Sequence, residues 1–194
     1  MARPKEHDER TAAALLAGAE RTIEADGLGA LSLRELARGA GTTTRAVYSL
    51  FGSKDGLVGA LGYRAFELLQ SGLEALPGTG DPQDDVVEAA LMFRRFALEH
   101  PALFSIGIQL TEPSLWPRFS AKAGEARGAL NRHFEPLAAA GRLGGRSAPE
   151  AALQFHALCE GLAALELRRG PKLSDPEGFW RQAVHALVTG FATG

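Results

Sequence analysis

Apolar residues recur along the chain with a helical period, and glycine or proline clusters mark where each run stops. From about Asp8 to Ala25, Leu15, Leu16, Ala19 and Ile23 share one side, and Asp26-Gly27 with Gly29 ends the run. Ser32-Leu33-Arg34-Glu35 predicts a capping box. In it Ser32 accepts from the N–H three residues on and Glu35 reaches back. The short helix it opens closes near Gly39-Ala40-Gly41. A second short helix is expected over Thr44–Phe51, closed by Gly52, with Ser53 capping a longer helix to about Leu76. Pro77-Gly78-Thr79-Gly80-Asp81-Pro82 reads as a linker. Beyond it the pattern predicts helices at roughly 84–99, 101–110, 116–140, 149–169 and 175–191. His100-Pro101, Thr111-Glu112-Pro113, Gly141–Pro149 and Gly170-Pro171 separate them, and no internal repeat emerges.

Composition supports the same reading. The 194 residues include 34 Ala and 28 Leu against 6 Val and 3 Ile. Strong helix formers thus far outnumber β-branched aliphatics, which predicts an all-α protein. The length suits one domain of ordinary size or two small ones sharing a core. A single cysteine, Cys159, rules out an intramolecular disulfide, and no residues show the spacing of a thiolate zinc site. Met1–His7 lacks the apolar core of a secretion signal, and the weakly charged run 151–165 is too short to span a bilayer. The expectation is a cytoplasmic protein with no membrane partner. Net charge is −2, and the first 60 residues carry 8 Lys+Arg against 8 Asp+Glu. Without a bulk basic footprint, any reading as a nucleic-acid binder must rest on local geometry.

That geometry is present around residue 45. Two short helices joined by a tight glycine turn form a helix-turn-helix candidate. At about 100° per residue, Thr44, Arg45, Tyr48 and Ser49 fall within one arc, and Ala46, Val47, Leu50 and Phe51 fill the opposite one. One face can pack; the other offers hydroxyls, a guanidinium and a phenol. Arg can fork onto a guanine edge, Thr can meet a hydrogen-bonding edge or a thymine methyl, and Tyr can donate to phosphate. The helix N-terminus after Thr43 also suits an anion. Such a wheel is shared by many amphipathic surface helices, and Ser32 and Thr43 also read simply as helix caps.

The stretch Leu33-Arg-Glu-Leu-Ala-Arg-Gly-Ala-Gly-Thr-Thr-Thr-Arg-Ala-Val-Tyr-Ser-Leu-Phe-Gly-Ser-Lys-Asp-Gly-Leu57 closely resembles the DNA-binding segment of the tetracycline-repressor (TetR) family of bacterial transcription regulators. The likeness covers roughly residues 8–60. It implies a three-helix DNA-binding domain over residues 1–53 and a larger helical effector-binding and dimerisation domain over 54–194. By the same resemblance Thr43, Thr44 and Arg45 approach bases or adjacent phosphates. Tyr48 and Lys54 contact backbone phosphate, Ser32 supplies a hydroxyl to the backbone, and Ser49 shares the DNA-facing arc. One departure is Leu50, which stands where the family often has a phosphate-contacting histidine. Arg3, Lys5 and Arg10 form a short basic arm able to reach DNA or to stay solvated, while Arg34 and Arg38 read as solvated charge.

The C-terminal two thirds resemble the family in layout and in fragments such as His100-Pro101-Ala102-Leu103-Phe104. The 149–169 helix is apolar nearly all round, so it must be covered on more than one side. Phe155, Leu158, Leu162 and Leu165 on it, with Trp180, Val184, Leu187, Val188 and Phe191 on the last helix, are the expected homodimer interface. The alternative is a wholly buried monomer core. By family layout, Phe93, Phe96, Phe104, Trp116, Phe119, His156 and Cys159, with Met92 and Ile108 nearby, are candidates to line a small-molecule pocket. A pocket of that composition suits an apolar or aromatic effector, although bulky apolar residues at helical spacing also serve as plain core. The implied function is a ligand-responsive repressor that binds a palindromic operator as a homodimer; the alternative is a helical adaptor or a regulator without ligand response.

Catalysis finds no support in the residue pattern. His100, His133, His156 and His185 include no i,i+3 or i,i+4 pair, and no Glu-x-x-His repeat occurs. Cys159 is followed by Glu160 rather than a basic partner, and no Gly-rich phosphate loop precedes a helix. No metal or cofactor is expected.

Overall fold

A computed structural model describes the backbone of residues 3–110, 113–168 and 173–192, with side chains from residue 8 onward. Every regular element among the described residues is helical. In chain order they are α1 (Arg3–Asp26), a 3-10 turn (Leu28–Ala30), α2 (Leu33–Gly39), α3 (Thr44–Phe51), α4 (Lys54–Glu74) and α5 (Pro82–Glu99). There follow α6 (Pro101–Phe104) with a π turn (Ser105–Gln109), a 3-10 turn (Trp116–Arg118), α7 (Ser120–Ala139), α8 (Ala148–Leu167) and α9 (Pro176–Ala192). Two expected helices are therefore shorter than the periodicity suggested. The 101–110 segment widens after Phe104, where Ile106 and Ile108 flank Gly107, three poor helix formers in succession. The 116–140 segment starts as a 3-10 turn over Trp116–Arg118, and regular helix begins at Ser120. The basic arm is also revised, since its backbone forms the first turns of α1; the side chains of Arg3 and Lys5 lie outside the described residues.

Packing divides the chain into two compact units, one of Met1–Ala65 with His100–Ala121, the other of Phe66–Glu99 with Lys122–Gly194. α4 contributes residues to both. The grouping follows contacts rather than the boundary expected after residue 53.

In the first unit α1 packs on α2, α3 and α6. Leu15, Ala19 and Ile23 are buried as their spacing predicts, joined by Leu36, Val47, Leu57, Leu61, Leu103 and Phe104. Glu20 lies among them at 8% exposure, its carboxylate accepting from His100 Nδ1 at 2.7 Å. Gly59 and Gly62 open a notch on α4: a Cβ at Gly59 would lie 2.6 Å from Arg118, and one at Gly62 2.6 Å from the Phe119 ring.

In the second unit α5 packs on α8 and α9, and α8 on α9. Val86, Leu91, Phe93, Phe96 and Ala97 supply the buried face of α5. The Phe134 and Phe155 rings meet edge to face at 5.4 Å between α7 and α8. Polar bonds tie the same elements. Arg94 forks onto Glu166 at 3.0 and 2.6 Å, and Trp180 Nε1–H donates to the same carboxylate at 3.1 Å. Ser147 and Glu150 cap α8 reciprocally, a box that Ser147-Ala148-Pro149-Glu150 spells out. No helix among the described residues is long and apolar enough to cross a membrane.

Phe134 is fully buried, so Phe134→Ala is expected to lower stability by about 3–5 kcal/mol, read from the midpoint of urea unfolding.

Candidate nucleic-acid interface

α3 is held at both ends by local chemistry. Upstream, α2 begins at Ser32, whose Oγ accepts from Glu35 N–H at 3.4 Å. The reciprocal half of the expected capping box is not made, because the Glu35 carboxylate pairs with Arg38 one turn on. α2 ends in a Schellman motif: Thr42 N–H donates to Ala37 O at 2.9 Å and Gly41 N–H to Arg38 O at 3.2 Å. Gly41 takes the left-handed φ of 64° that this ending requires. Two residues later Thr43 caps α3, its Oγ1 accepting from Ala46 N–H at 3.2 Å. The turn is thus only as long as its hydrogen bonds need.

Downstream the joint to α4 is equally tight. Gly52 turns the chain at φ 75°, with its N–H on Tyr48 O at 2.8 Å. Ser53 Oγ then accepts from Gly56 N–H at 2.9 Å and opens α4. A Cβ on Gly56 would stand 1.8 Å from the Phe51 carbonyl oxygen, so only glycine lets the two helices join this closely. Gly56 belongs to the Lys54-Asp55-Gly56-Leu57 run of the resemblance, but its close approach to the Phe51 carbonyl is a feature of packing that spacing alone does not display.

Between these anchors the wheel of α3 is realised. Val47 is fully buried, and Ala46, Leu50 and Phe51 are partly covered. Arg45, Ser49 and Tyr48, the last 53% exposed, point to solvent, with Thr44 partly covered beside them. Thr43, Ser32 and Lys54 are exposed as well. The candidate nucleic-acid residues therefore lie on the surface of one unit. Lys54 occupies the first turn of α4, where the helix dipole prefers an anion. That placement puts a cation and a set of N–H donors side by side, an arrangement suited to phosphate.

The remaining candidate residues fare differently. Phe104, Trp116 and Phe119 belong to the first unit, and Phe93, Phe96, His156 and Cys159 to the second. Trp116 is 44% exposed, its ring edge-on to that of Phe119. Phe104 and Phe119 fill the core of their own unit, and Phe119 occupies the Gly62 notch. In the second unit the His156 ring meets Phe93 edge-on at 5.7 Å. Burial lowers the His156 pKa; Glu160 opposes the shift and Arg127 adds to it, leaving the imidazole neutral at pH 7.

The expected dimer residues need a larger correction. Phe155, Trp180, Val184, Val188 and Phe191 are buried within the chain itself, covered by neighbouring helices, and so offer no surface to a second copy. Leu158, Leu162 and Leu187 are half-buried, and Leu165 is exposed. Leu153, Ala157 and Gly161 are exposed too, completing with Leu165 a line at four-residue spacing along α8 that the hydrophobic period alone does not single out. No group of three or more His, Cys, Asp or Glu among the described residues could hold a metal ion.

A model of bacterial regulatory proteins of the tetR family matches residues 15–61, and one of the tetracyclin repressor-like C-terminal domain matches residues 86–187. The chain belongs to the TetR family. Its members are DNA-binding regulators of transcription rather than enzymes, and this chain carries both of their parts. A Rhodococcus protein of unknown function shares the fold at a TM-score of 0.80 and 26% identity, over 94% of this chain and 95% of that one. NalD of Pseudomonas aeruginosa, the secondary repressor of the MexAB-OprM multidrug efflux pump, matches at 0.69 and 25%, over 95% and 97%. PfmR, a TetR-family regulator of Thermus thermophilus, shares the fold at 0.70 and 20%, over 91% and 97%. No curated protein matches the chain in sequence.

Cys159 lies in the core with its thiol pKa pushed far up by burial. A thiol-specific chromogenic reagent is expected to leave the native protein unmodified and to titrate one thiol after unfolding. Rapid native modification would show that this face of α8 opens to solvent.

Proposed function

We propose that this TetR-family regulator is a ligand-responsive repressor that acts as a cytoplasmic homodimer on a near-palindromic operator. In this reading residues 1–53 form the DNA-binding domain and residues 54–194 the effector and dimerisation domain. The observation that carries it is the single outward face of α3, polar and fixed at both ends. Arg45 reads a base edge, most simply a guanine, while Thr43, Thr44 and Ser49 meet neighbouring bases or phosphates. Tyr48 and Ser32 donate to backbone phosphate, and Lys54 neutralises one. Leu50, half covered, supplies no donor, so this chain makes one phosphate contact fewer per subunit than relatives with histidine there.

A palindromic operator needs two copies of the chain, with recognition helices about 34–36 Å or a multiple apart. The line of Leu153, Ala157, Gly161 and Leu165 on α8 supports that pairing. Leu158 and Leu162 flank the line, and half-buried Leu187 on α9 belongs to the same proposed interface. Four-residue rows of this kind interdigitate between helices, and the small residues let two α8 helices approach closely. Ligand response is inferred from the cluster of Phe93, Phe96, His156 and Cys159, whose neutral imidazole offers one polar anchor in an apolar wall. That chemistry favours an aromatic or apolar effector. NalD, a repressor of an efflux pump, is the relative that makes repression the preferred sign. Release follows if the effector binds the DNA-incompetent arrangement more tightly, by as much as its differential affinity allows.

Selection of bound sequences from random duplexes, repeated with a panel of aromatic compounds, tests the whole reading. Arg45→Ala is expected to relax preference at one position of each half-site and to cost about 1–3 kcal/mol. Lys54→Ala is expected to flatten the plot of log affinity against log salt by about 0.9 per subunit, whereas Tyr48→Phe weakens binding without changing that slope. Unchanged sequence preference in the arginine variant would remove the base-reading assignment.

Leu165→Glu, which places a charge on the exposed α8 line, is expected to shift light-scattering mass from dimer to monomer at micromolar concentration. Retention of the dimer would move the interface elsewhere.

A further inference from the structure

Glu20 is a carboxylate almost wholly buried in α1, the helix against which α2 and α3 pack. Burying such a group is costly unless a donor meets it. The donor is His100 Nδ1, at 2.7 Å. As the carboxylate is acceptor-only, the imidazole proton must lie on Nδ1. His100 is itself held firmly: Pro101 follows it, and its carbonyl accepts the Phe104 N–H that begins α6 at 2.9 Å. At the other end of the same stretch, Arg118 and Phe119 sit in the Gly59–Gly62 notch of α4. His100 at one end and Arg118 with Phe119 at the other thus grip both helices that frame α2 and α3 in this unit, one by a directional polar bond and one by apolar fit.

We propose that His100 is a positioning residue for operator binding. It touches no DNA; through Glu20 it fixes the position of α1 and thereby the pose of the recognition helix packed on α1. Apolar burial is non-directional, but a buried carboxylate keeps its hydrogen bond only in a narrow geometry. Without the donor the carboxylate must either be neutralised or reach water, and in both cases the directional tie between α1 and His100 is lost. The inference rests on the DNA-binding role of α3 but adds a residue far from α3 in sequence and on another helix boundary.

The test compares four full-length proteins on the operator obtained by selection, with thermal unfolding followed in parallel. His100→Leu is expected to weaken operator binding by about tenfold or more, in line with the loss of a charge-assisted hydrogen bond. His100→Asn is expected to restore binding to within about threefold of the parent, because asparagine Nδ2 hangs from Cγ as histidine Nδ1 does. The double variant Glu20→Leu/His100→Leu removes the buried charge with its donor, so its melting temperature should return toward that of the parent. Its operator affinity should stay low, because no directional bond remains. Three results would overturn the proposal: parental affinity in His100→Leu, no rescue by asparagine, or parental affinity in the double variant. Failure of the parent protein to bind any selected duplex would instead strike at the DNA-binding reading itself.

Discussion

An eight-residue helix is too short to persist in water by itself, since nucleation costs more than so few hydrogen bonds return. α3 exists because its surroundings define it. Val47 inserts into the core, Thr43 caps its first turn, and left-handed glycines stand at positions 41 and 52 on either side. The face left over is therefore fixed in direction, not merely exposed. A DNA reader needs that property, because a guanidinium on a fraying helix would pay ordering entropy at every binding event. The same constraint explains why Gly56 matters without touching a partner. By admitting the Phe51 carbonyl it sets how closely α4 follows α3, and so where Lys54 stands relative to Tyr48.

Much of this was legible in the sequence because helix ends are local events. Hydroxyls at Ser32, Thr43, Ser53 and Ser147 cap within three residues, and glycine at position 41 ends a helix by its backbone alone. What failed was anything decided by competition or by distant packing. Glu35 has two partners in reach, and the guanidinium of Arg38 is a stronger one than a backbone N–H. A helix over 101–110 was plausible by period, but Ile106-Gly107-Ile108 weakens it enough for a π turn to form.

The apolar α8 shows the limit most clearly. Periodicity states that a face must be covered, not by what. Phe155 of α8 and Trp180, Val184, Val188 and Phe191 of α9 are covered by their own chain, leaving the 153-157-161-165 line bare. Glu166, a charge on this apolar helix, is met by partners from elsewhere in the unit: Arg94 from α5 and the indole of Trp180 from α9 meet on one carboxylate. No local rule links positions 94, 166 and 180. Once joined, however, they explain why a tryptophan on α9 faces inward, where its N–H finds a charged acceptor, rather than outward toward a second copy.

Two polar side chains count among the buried residues described, Glu20 and Gln83, and each sits at a joint between segments far apart in sequence. Glu20 meets His100; Gln83 donates to His185 at 2.9 Å and Thr189 at 3.3 Å and accepts from Arg142. Leucine or phenylalanine at either place would bury more apolar area and would cost no desolvation. Neither would add a directional contact to the shape complementarity that apolar packing already supplies. A hydrogen bond with one donor and one acceptor is such a contact, because its strength falls steeply as the geometry departs from line. Stability in each unit therefore comes mainly from apolar burial, to which these few buried polar contacts add a directional constraint. A regulator whose output depends on where a short helix points needs that constraint as much as the stability.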